Sequence, residues 1–298
     1  MNFGAKFVTF NRESSAELRR VLADGADALI DVTAYSAVEG HQLLDVQGSI
    51  GALVVLSSSS VYRDSEGRTL DEATRNGFPA LPVPITEAQP TVAPGDETYS
   101  TRKIALEHLL LDKANIPVTI LRPAAIHGPG SIHPREWWFV KRIQDGRPAI
   151  PLAYKGKSRF HTSGTRNIAE LTRVVLDKPA TRILNSAAPE ALSVAEIGCA
   201  IARYMGYRGS FISVPTYSFP AEMGRSPWAV SRPFVLDNKA ALALGYLPTT
   251  TYAQSVGAIC DDLIGGASVD WRVRFPILAS YPYELFDYQA EDLFFARF

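Results

Sequence analysis

Two stretches of the sequence predict the fold of this chain: Ala52-Leu-Val-Val-Leu-Ser-Ser-Ser-Ser-Val-Tyr62 and Tyr99-Ser-Thr-Arg-Lys103. The first is a continuous apolar run that ends in four serines, a pattern typical of a β-strand buried on both faces. The second opens a helical segment, and its i,i+4 spacing sets Tyr99 and Lys103 on one helical face. Further apolar runs, at 28–32 and 117–121, alternate with helical segments. This alternation predicts an α/β fold with a parallel sheet covered by helices.

Composition excludes several classes of protein. Among 298 residues, 30 Lys and Arg stand against 31 Asp and Glu, which gives a net charge of −1 and argues against a dedicated binder of nucleic acid or of membrane surfaces. The apolar runs are far shorter than the roughly 18 residues that a membrane span requires. Cys199 and Cys260 match no metal-binding spacing, and the N-terminus lacks a signal-peptide layout. We therefore expect reduced thiols, no metal and a cytoplasmic protein.

Tyr99 and Lys103 form the candidate catalytic pair. A free tyrosine has a pKa of about 10, so its phenolate is rare at neutral pH. A neighbouring lysine ammonium favours the phenolate, and such a pair can act as a general acid or base. The serines that follow the apolar run lie at the carboxyl end of a predicted parallel strand, where open α/β sheets bind their ligands. The sequence therefore predicts an active site at this edge of the sheet.

The order of the motifs resembles one known family. The serine-ended strand before Val61-Tyr62 is followed by Tyr99-Ser-Thr-Arg-Lys103, Leu121-Arg-Pro123 and His127-Gly-Pro-Gly130. This set resembles the extended short-chain dehydrogenase/reductase family, in its NAD-dependent epimerase/dehydratase branch. The resemblance implies a Rossmann-like parallel sheet with a smaller C-terminal substrate domain.

The resemblance also implies a mechanism, in which hydride is exchanged with NAD or NADP. Tyr99 would exchange a proton with a substrate hydroxyl, Ser58 would hydrogen-bond the same oxygen, and Lys103 would hold the nicotinamide ribose and lower the pKa of Tyr99. The other positions implied by the family are Ala34, Lys103, Pro123 and Ala124 at the cofactor, and His127, Arg159 and His161 at the substrate.

The expected domains follow from the same alignment of motifs. We expect an incomplete Rossmann-type cofactor domain over residues 1–125 and 160–186, and a substrate domain over 126–159 and 187–298.

The N-terminal side of the sheet departs from the family. The Gly-x-x-Gly-x-x-Gly loop, and with it the first βαβ unit, has no counterpart in these residues. We expect Phe7 to Phe10 to form a strand that pairs directly with Ala28 to Val32 through a right-handed crossover. The alternative is that the edge of Ala28 to Val32 stays open, apolar and ready to pair with another chain. Because the glycine loop normally carries the pyrophosphate at a helix N-terminus, we expect the cofactor to bind weakly.

The favoured function is that of an NAD(P)-dependent oxidoreductase, epimerase or dehydratase acting on a hydroxyl-bearing small molecule, with a sugar nucleotide as one candidate. Two alternatives stay open. The chain could be a catalytically idle relative that binds a ligand or partner, or a truncated gene product without cofactor binding. The joint presence of Ser58, Tyr99 and Lys103 favours the enzyme. Nucleic acid and membranes are not expected partners, and a homodimer is the assembly considered.

Overall fold

The structure is a computed structural model, and it describes residues 4–215, 222–265 and 269–296. A four-stranded parallel sheet in the order β1-β2-β3-β7 forms its centre, and two further parallel strand pairs, β4 with β6 and β5 with β8, lie beside it. The strands are β1 (Leu29–Asp31), β2 (Leu53–Leu56), β3 (Val118–Pro123), β4 (Ala125–His127), β5 (Ala149–Leu152), β6 (Thr162–Gly164), β7 (Arg182–Ser186) and β8 (Ser210–Ser213). The predicted α/β fold with a parallel sheet is confirmed.

Helices connect these strands and cover the sheet. They are α1 (Ser15–Val21), α2 (Ala37–Asp45), α3 (Ala73–Asn76), α4 (Tyr99–Lys113), α5 (Trp137–Gln144), α6 (Thr165–Leu176), α7 (Val194–Tyr204), α8 (Lys239–Ala243), α9 (Tyr252–Gly265), α10 (Trp271–Arg274), α11 (Pro276–Ala279) and α12 (Tyr288–Phe295). No helix in the described ranges is both long enough and apolar enough to cross a membrane.

The apolar run at β2 is buried because it lies between β1 and β3 with helices on both faces. Leu53 and Val55 point to one face, where α2 and α4 contribute Leu43 and Leu106 to the core. Val54 points to the opposite face and packs in a cluster with α6. Successive side chains of a strand alternate between faces, so a strand covered on both sides must be apolar throughout.

The expected strand at Phe7 to Phe10 is wrong. These residues form no strand, and Phe7 is 90% exposed. The segment that follows contacts the sheet through an ion pair, in which Arg12 Nη2 lies 2.6 Å from Asp31 Oδ2 at the end of β1. Because Arg12 meets the end of β1 through its side chain, the backbone before it does not lie along the strand. Among the described strands, β1 pairs with β2 alone, and its other edge is open.

A second hydrophobic cluster is built from the C-terminal half. It joins side chains of α5, α7 and α9, such as Trp138, Ile201 and Ile259, and includes Trp271 and Leu285 from the tail. The two predicted domains and their boundaries stay a prediction.

The two halves are interleaved at one place. Phe234 and Leu236 pack with Tyr62 and Ile85, on the side of the sheet where the 63–96 excursion returns.

Candidate functional site

A cavity of about 680 Å³ opens where β2 and β3 end. Ser57 to Ser60 follow β2 and line one wall, and Pro123 and Ala124 at the end of β3 line another. Tyr99, His127, Arg135 and Phe160 also face the cavity, together with the 128–133 loop. The two predicted catalytic hydroxyls, those of Ser58 and Tyr99, are thus brought to one cavity.

Helix α4 begins at Tyr99 because Thr98 caps it. The Thr98 side chain accepts from the backbone N–H of Thr101, and the Thr101 hydroxyl in turn accepts from the backbone N–H of Thr98 at 2.9 Å. This capping box fixes the first turn of the helix. Tyr99 therefore stands at the helix start, and Lys103 follows one turn later on the same face.

Lys103 reaches from α4 to two neighbouring strand ends. Its Nζ donates to the backbone oxygen of Ala34 at 2.6 Å and to that of Leu56 at 2.9 Å. The same atom lies 4.8 Å from the centre of the Tyr35 ring and 5.7 Å from the centre of the Tyr99 ring. An ammonium has three N–H groups, so one remains for a ligand.

Burial dominates the pKa shifts of the pair. Burial raises the pKa of Tyr99, and the Ser58 side chain acts in the opposite direction without cancelling it. Burial lowers the pKa of Lys103 to about 8, against the attraction of Asp31 and Glu107. Lys103 is not among the groups that shift the pKa of Tyr99 in this arrangement, and the expectation that it lowers that pKa stays a prediction. Tyr99 is a neutral phenol here, suited to donate a proton.

The serines form a short hydroxyl chain beneath Tyr99. Ser58 Oγ donates to Ser60 Oγ at 2.9 Å and accepts from the Ser60 backbone N–H at 3.1 Å. Ser100 of α4 also donates to Ser60 Oγ at 2.9 Å. These contacts hold Ser58 in a defined position and link the strand end to α4.

A buried ion pair supports the strand ends from below. Arg122 of β3 donates through Nη2 to Glu107 Oε2 at 2.5 Å, and Ser57 donates to the same carboxylate. Glu107 lies one turn beyond Lys103 on α4. This pair ties α4 to β2 and β3 at the height of the cavity, a structural role for Arg122.

The loop after β1 is held by Asp31. Its Oδ1 accepts from the backbone N–H groups of Thr33 at 2.7 Å and Ala34 at 2.8 Å, while Oδ2 accepts from Arg12. Burial would raise the pKa of Asp31, but these hydrogen bonds and the Arg12 charge together lower it. Ala34 is fully buried, and its carbonyl faces Lys103, so Asp31 positions a partner of the candidate catalytic lysine.

Of the three predicted substrate residues, one lines the cavity and two do not. His127 lines the cavity, is 2% exposed and has an Nδ1 without a hydrogen-bond partner, and burial lowers its pKa to about 4. His161 does not line the cavity: one ring nitrogen lies 3.0 Å from the Ala188 oxygen, and the other accepts from the Leu236 N–H.

Arg159 contacts the Ala191 oxygen and Glu196 rather than the cavity. In this arrangement both Arg159 and His161 make structural contacts, and only Phe160 between them faces the cavity.

Three residues of the site were missed by the sequence reasoning. Tyr35 lines the cavity and meets the Tyr99 ring edge to face, with 5.7 Å between centroids. Its position next to Ala34, which the resemblance placed at the cofactor, could have indicated it. Asp31, whose carboxylate caps the backbone two and three residues on, and Arg135 were not singled out from the sequence.

Comparison with known proteins supports the fold. No protein-family model matches the chain. A chloroplast stem-loop binding protein of 41 kDa from Arabidopsis thaliana is 29% identical over 134 residues, which are 45% of this chain and 30% of that protein. The match therefore spans about a third of the relative's length.

Solved structures resemble most of the chain. A UDP-glucose 4-epimerase from Thermotoga maritima aligns over 90% of this chain and 87% of its own, with a TM-score of 0.65 and 14% identity. A dTDP-glucose 4,6-dehydratase from Bacillus anthracis in complex with NAD aligns over 88% and 80%, with a TM-score of 0.62 and 18% identity.

The RMD protein of Pseudomonas aeruginosa, complexed with NADPH, aligns over 89% and 93%, with a TM-score of 0.63 and 16% identity. Such structural neighbours share the Rossmann-like epimerase/dehydratase fold that the motifs predicted, and the fold prediction is confirmed.

Proposed function

We propose that this chain is an NAD(P)-dependent oxidoreductase of the epimerase or dehydratase kind, acting on a hydroxyl-bearing small molecule such as a sugar nucleotide. The observation that carries the proposal is the convergence of Ser58 and Tyr99 on one cavity with Lys103 directly behind them. The fold shared with epimerases and dehydratases that bind NAD or NADPH supports it.

The residues of the site fit the nicotinamide end of such a cofactor. Lys103 keeps one N–H for a ribose hydroxyl, and Pro123 and Ala124 form an apolar wall beside it. When bound, the cofactor would supply hydride exchange.

The proton chemistry belongs to the chain. Tyr99 donates its phenolic proton to the oxygen of a carbonyl substrate, or takes the proton of a hydroxyl in the opposite direction. Ser58 hydrogen-bonds the same oxygen and holds it near Tyr99. Lys103, kept cationic below a pKa of about 8, stabilises the phenolate that remains.

Tyr99→Phe tests this proposal, because it keeps the ring and removes only the hydroxyl. Turnover of nucleotide sugars in the presence of NAD or NADP, followed by product chromatography, should fall by about 10²–10⁴-fold. Tyr246→Phe is the matched control, since Tyr246 is buried away from the cavity and its hydroxyl has no partner. Equal turnover in Tyr99→Phe and wild type would refute the assignment.

A second candidate function comes from the Arabidopsis relative, whose name describes stem-loop binding. A net charge of −1 speaks against it, because RNA binding usually relies on a basic surface. A gel-shift titration with a stem-loop RNA at physiological salt separates the two candidates. Salt-sensitive binding that survives Tyr99→Phe, without turnover of any substrate, would favour the RNA-binding candidate.

A further inference from the structure

The ring of Tyr35 lies over the ammonium of Lys103. The Nζ atom is 4.8 Å from the centre of this ring and 5.7 Å from the centre of the Tyr99 ring, and the two rings meet edge to face. Tyr35 lines the cavity and is 52% exposed, whereas Lys103 is 3% exposed. The face of an aromatic ring attracts a cation that lies within about 6 Å of its centre. Tyr35 is therefore a partner of the buried ammonium, in addition to the two backbone carbonyls that bond it.

No carboxylate in the described ranges forms an ion pair with Lys103. Three carboxylates favour its charged form from a greater distance, and each of them is bonded to another partner: Asp31 to Arg12, Glu39 to Ser36 and Glu107 to Arg122. A buried charge is costly unless nearby groups compensate for the lost water. The compensation at Lys103 therefore comes from backbone carbonyls and aromatic rings rather than from a counter-ion.

The backbone is held on both sides of Tyr35. The N–H of Ala34, the preceding residue, donates to Asp31 Oδ1 at 2.8 Å. Ser36, the following residue, is the N-cap of α2, and its N–H donates to Glu39 Oε2 at 2.8 Å within a capping box. Supporting hydrogen bonds of this kind keep a side chain in the geometry that a functional site requires. The loop between β1 and α2 therefore presents the ring to the ammonium in a defined position.

We propose that Tyr35 is a positioning residue for the candidate catalytic lysine, and that the face of its ring holds the Lys103 ammonium beside Tyr99. The inference rests on the proposed function for the role of Lys103. Of the two rings that face the ammonium, that of Tyr35 is the nearer, and it takes no part in the proton transfer. Its attraction for the cation therefore stays constant while Tyr99 loses and regains its proton.

The test changes the electrons of the ring and keeps its shape. Tyr35→Phe removes the hydroxyl and retains the negative face, whereas a trifluorinated phenylalanine at the same position has a similar shape and a face depleted of electrons. The pKa of Lys103 is measured in the intact chain by NMR of isotope-labelled lysine side chains. Its signal is the one that is missing in Lys103→Met. This measurement requires neither substrate nor cofactor.

We expect Lys103 to titrate in Tyr35→Phe close to the wild-type pKa of about 8, because both rings attract the cation. The fluorinated ring should lower the pKa of Lys103 by about 0.4–1.5 pH units relative to Tyr35→Phe, since the charged form loses a cation–π contact. The same fluorinated residue in place of Tyr204, which is 47% exposed on α7 and does not line the cavity, is the matched control and should leave Lys103 unchanged. Circular dichroism confirms that each variant is folded.

Two outcomes would overturn the inference: a pKa of Lys103 that is no lower with the fluorinated ring than in Tyr35→Phe, or an equal shift in the Tyr204 control. The proposed function is assayed separately, by turnover. Tyr99-dependent turnover together with an unshifted Lys103 refutes this inference alone. A shifted Lys103 in a chain without Tyr99-dependent turnover refutes the proposed function alone.

Discussion

Lys103 combines a buried charge with two backbone contacts. Its ammonium is 3% exposed and donates to carbonyls at the ends of β1 and β2. Solvent would stabilise the charged form of a free lysine, and its loss explains why burial lowers the pKa from 10.5 to about 8. The residue therefore holds two strands together at a cost in solvation, a balance that is sensitive to pH.

This balance predicts a pH-dependent stability. Between pH 8 and 10.5 the unfolded chain keeps the Lys103 proton while the folded chain loses it, so the free energy of unfolding rises with pH through this window. From pH 8 to 9.5 the rise should be about 1–2 kcal/mol in wild type and absent in Lys103→Met. Urea unfolding of wild type and Lys103→Met at matched pH values measures the difference between their unfolding free energies. Titration of the tyrosines is common to both proteins and cancels in that difference. Parallel curves would show that Lys103 is not buried as described.

Asp31 offers a second test on a single residue. Asp31→Asn removes the charge that faces Arg12 and weakens the bonds to the Thr33 and Ala34 N–H groups, at an expected loss of about 1–3 kcal/mol in unfolding free energy at pH 7. The pKa of Asp31 is lower in the folded chain than its ordinary value of 3.8. The extra unfolding free energy that wild type gains from the Asp31 charge is therefore present above about pH 3.8 and decreases as the pH falls below that value.

Asp45→Asn is the control for Asp31, since Asp45 pairs with Arg19 at 2.9 Å on an exposed surface. Exposed pairs contribute little, so we expect a change under about 1 kcal/mol. Equal losses in the two variants would contradict a positioning role for Asp31.

At the scale of elements, β1 is an apolar strand with one uncovered edge. Ile30 is 44% exposed and Val32, which follows the strand, is 61% exposed. Leu29, Ile30 and Asp31 pair with Leu53, Val54 and Val55 of β2, so only the far edge lacks a neighbour. Open strand edges are normally shortened or covered, and β1 is short, with three residues.

A matched pair of substitutions checks that the Val32 side chain, just after β1, is exposed in solution. Val32→Thr should change the unfolding free energy by less than about 0.5 kcal/mol, because an exposed hydroxyl remains hydrated. Val55→Thr, at the fully buried end of β2, should cost about 1–3 kcal/mol, since its hydroxyl is desolvated. A comparable loss at Val32, measured by urea unfolding, would mean that another surface covers the Val32 side chain.

At the scale of the whole molecule, the proposed cofactor site has candidate residues for the nicotinamide end and no glycine loop for the pyrophosphate. The chain holds Lys103, Pro123 and Ala124 in place, but its residues include no Gly-x-x-Gly-x-x-Gly loop. Such a loop presents backbone N–H groups and a helix N-terminus to the phosphates. We expect a chain without this loop to gain less binding free energy from the phosphates of a dinucleotide.

We therefore expect weak binding of NAD and NADP by the 298-residue chain. Calorimetric titration should give a Kd above the micromolar range for both. Lys103→Met is the comparison variant, and it should weaken any residual binding further because the remaining N–H is lost. Micromolar or tighter binding would mean that another loop carries the pyrophosphate.

Local patterns in the sequence were sufficient for most of the elements. Continuous apolar runs predicted β1, β2 and β3, as observed. Ser58 and Tyr99 could also be placed together, because the carboxyl ends of parallel strands and the following helix starts meet at one edge of a sheet. These features depend on neighbours a few residues apart, or on topology that such neighbours imply.

Only the tertiary structure decided the features that depend on distant partners. Phe7 to Phe10 has the apolar pattern of a strand, yet no neighbouring strand accepts it. The sequence placed His161 at the substrate, but in the structure both of its ring nitrogens bond to backbone groups, those of Ala188 and Leu236. Glu136 follows Arg135 in the sequence, yet its carboxylate accepts a hydrogen bond from Tyr252, a residue more than a hundred positions away, and the Arg135 side chain bonds to Tyr281. Periodicity records which face of an element is buried, whereas the partner of a buried charge is set by the fold as a whole.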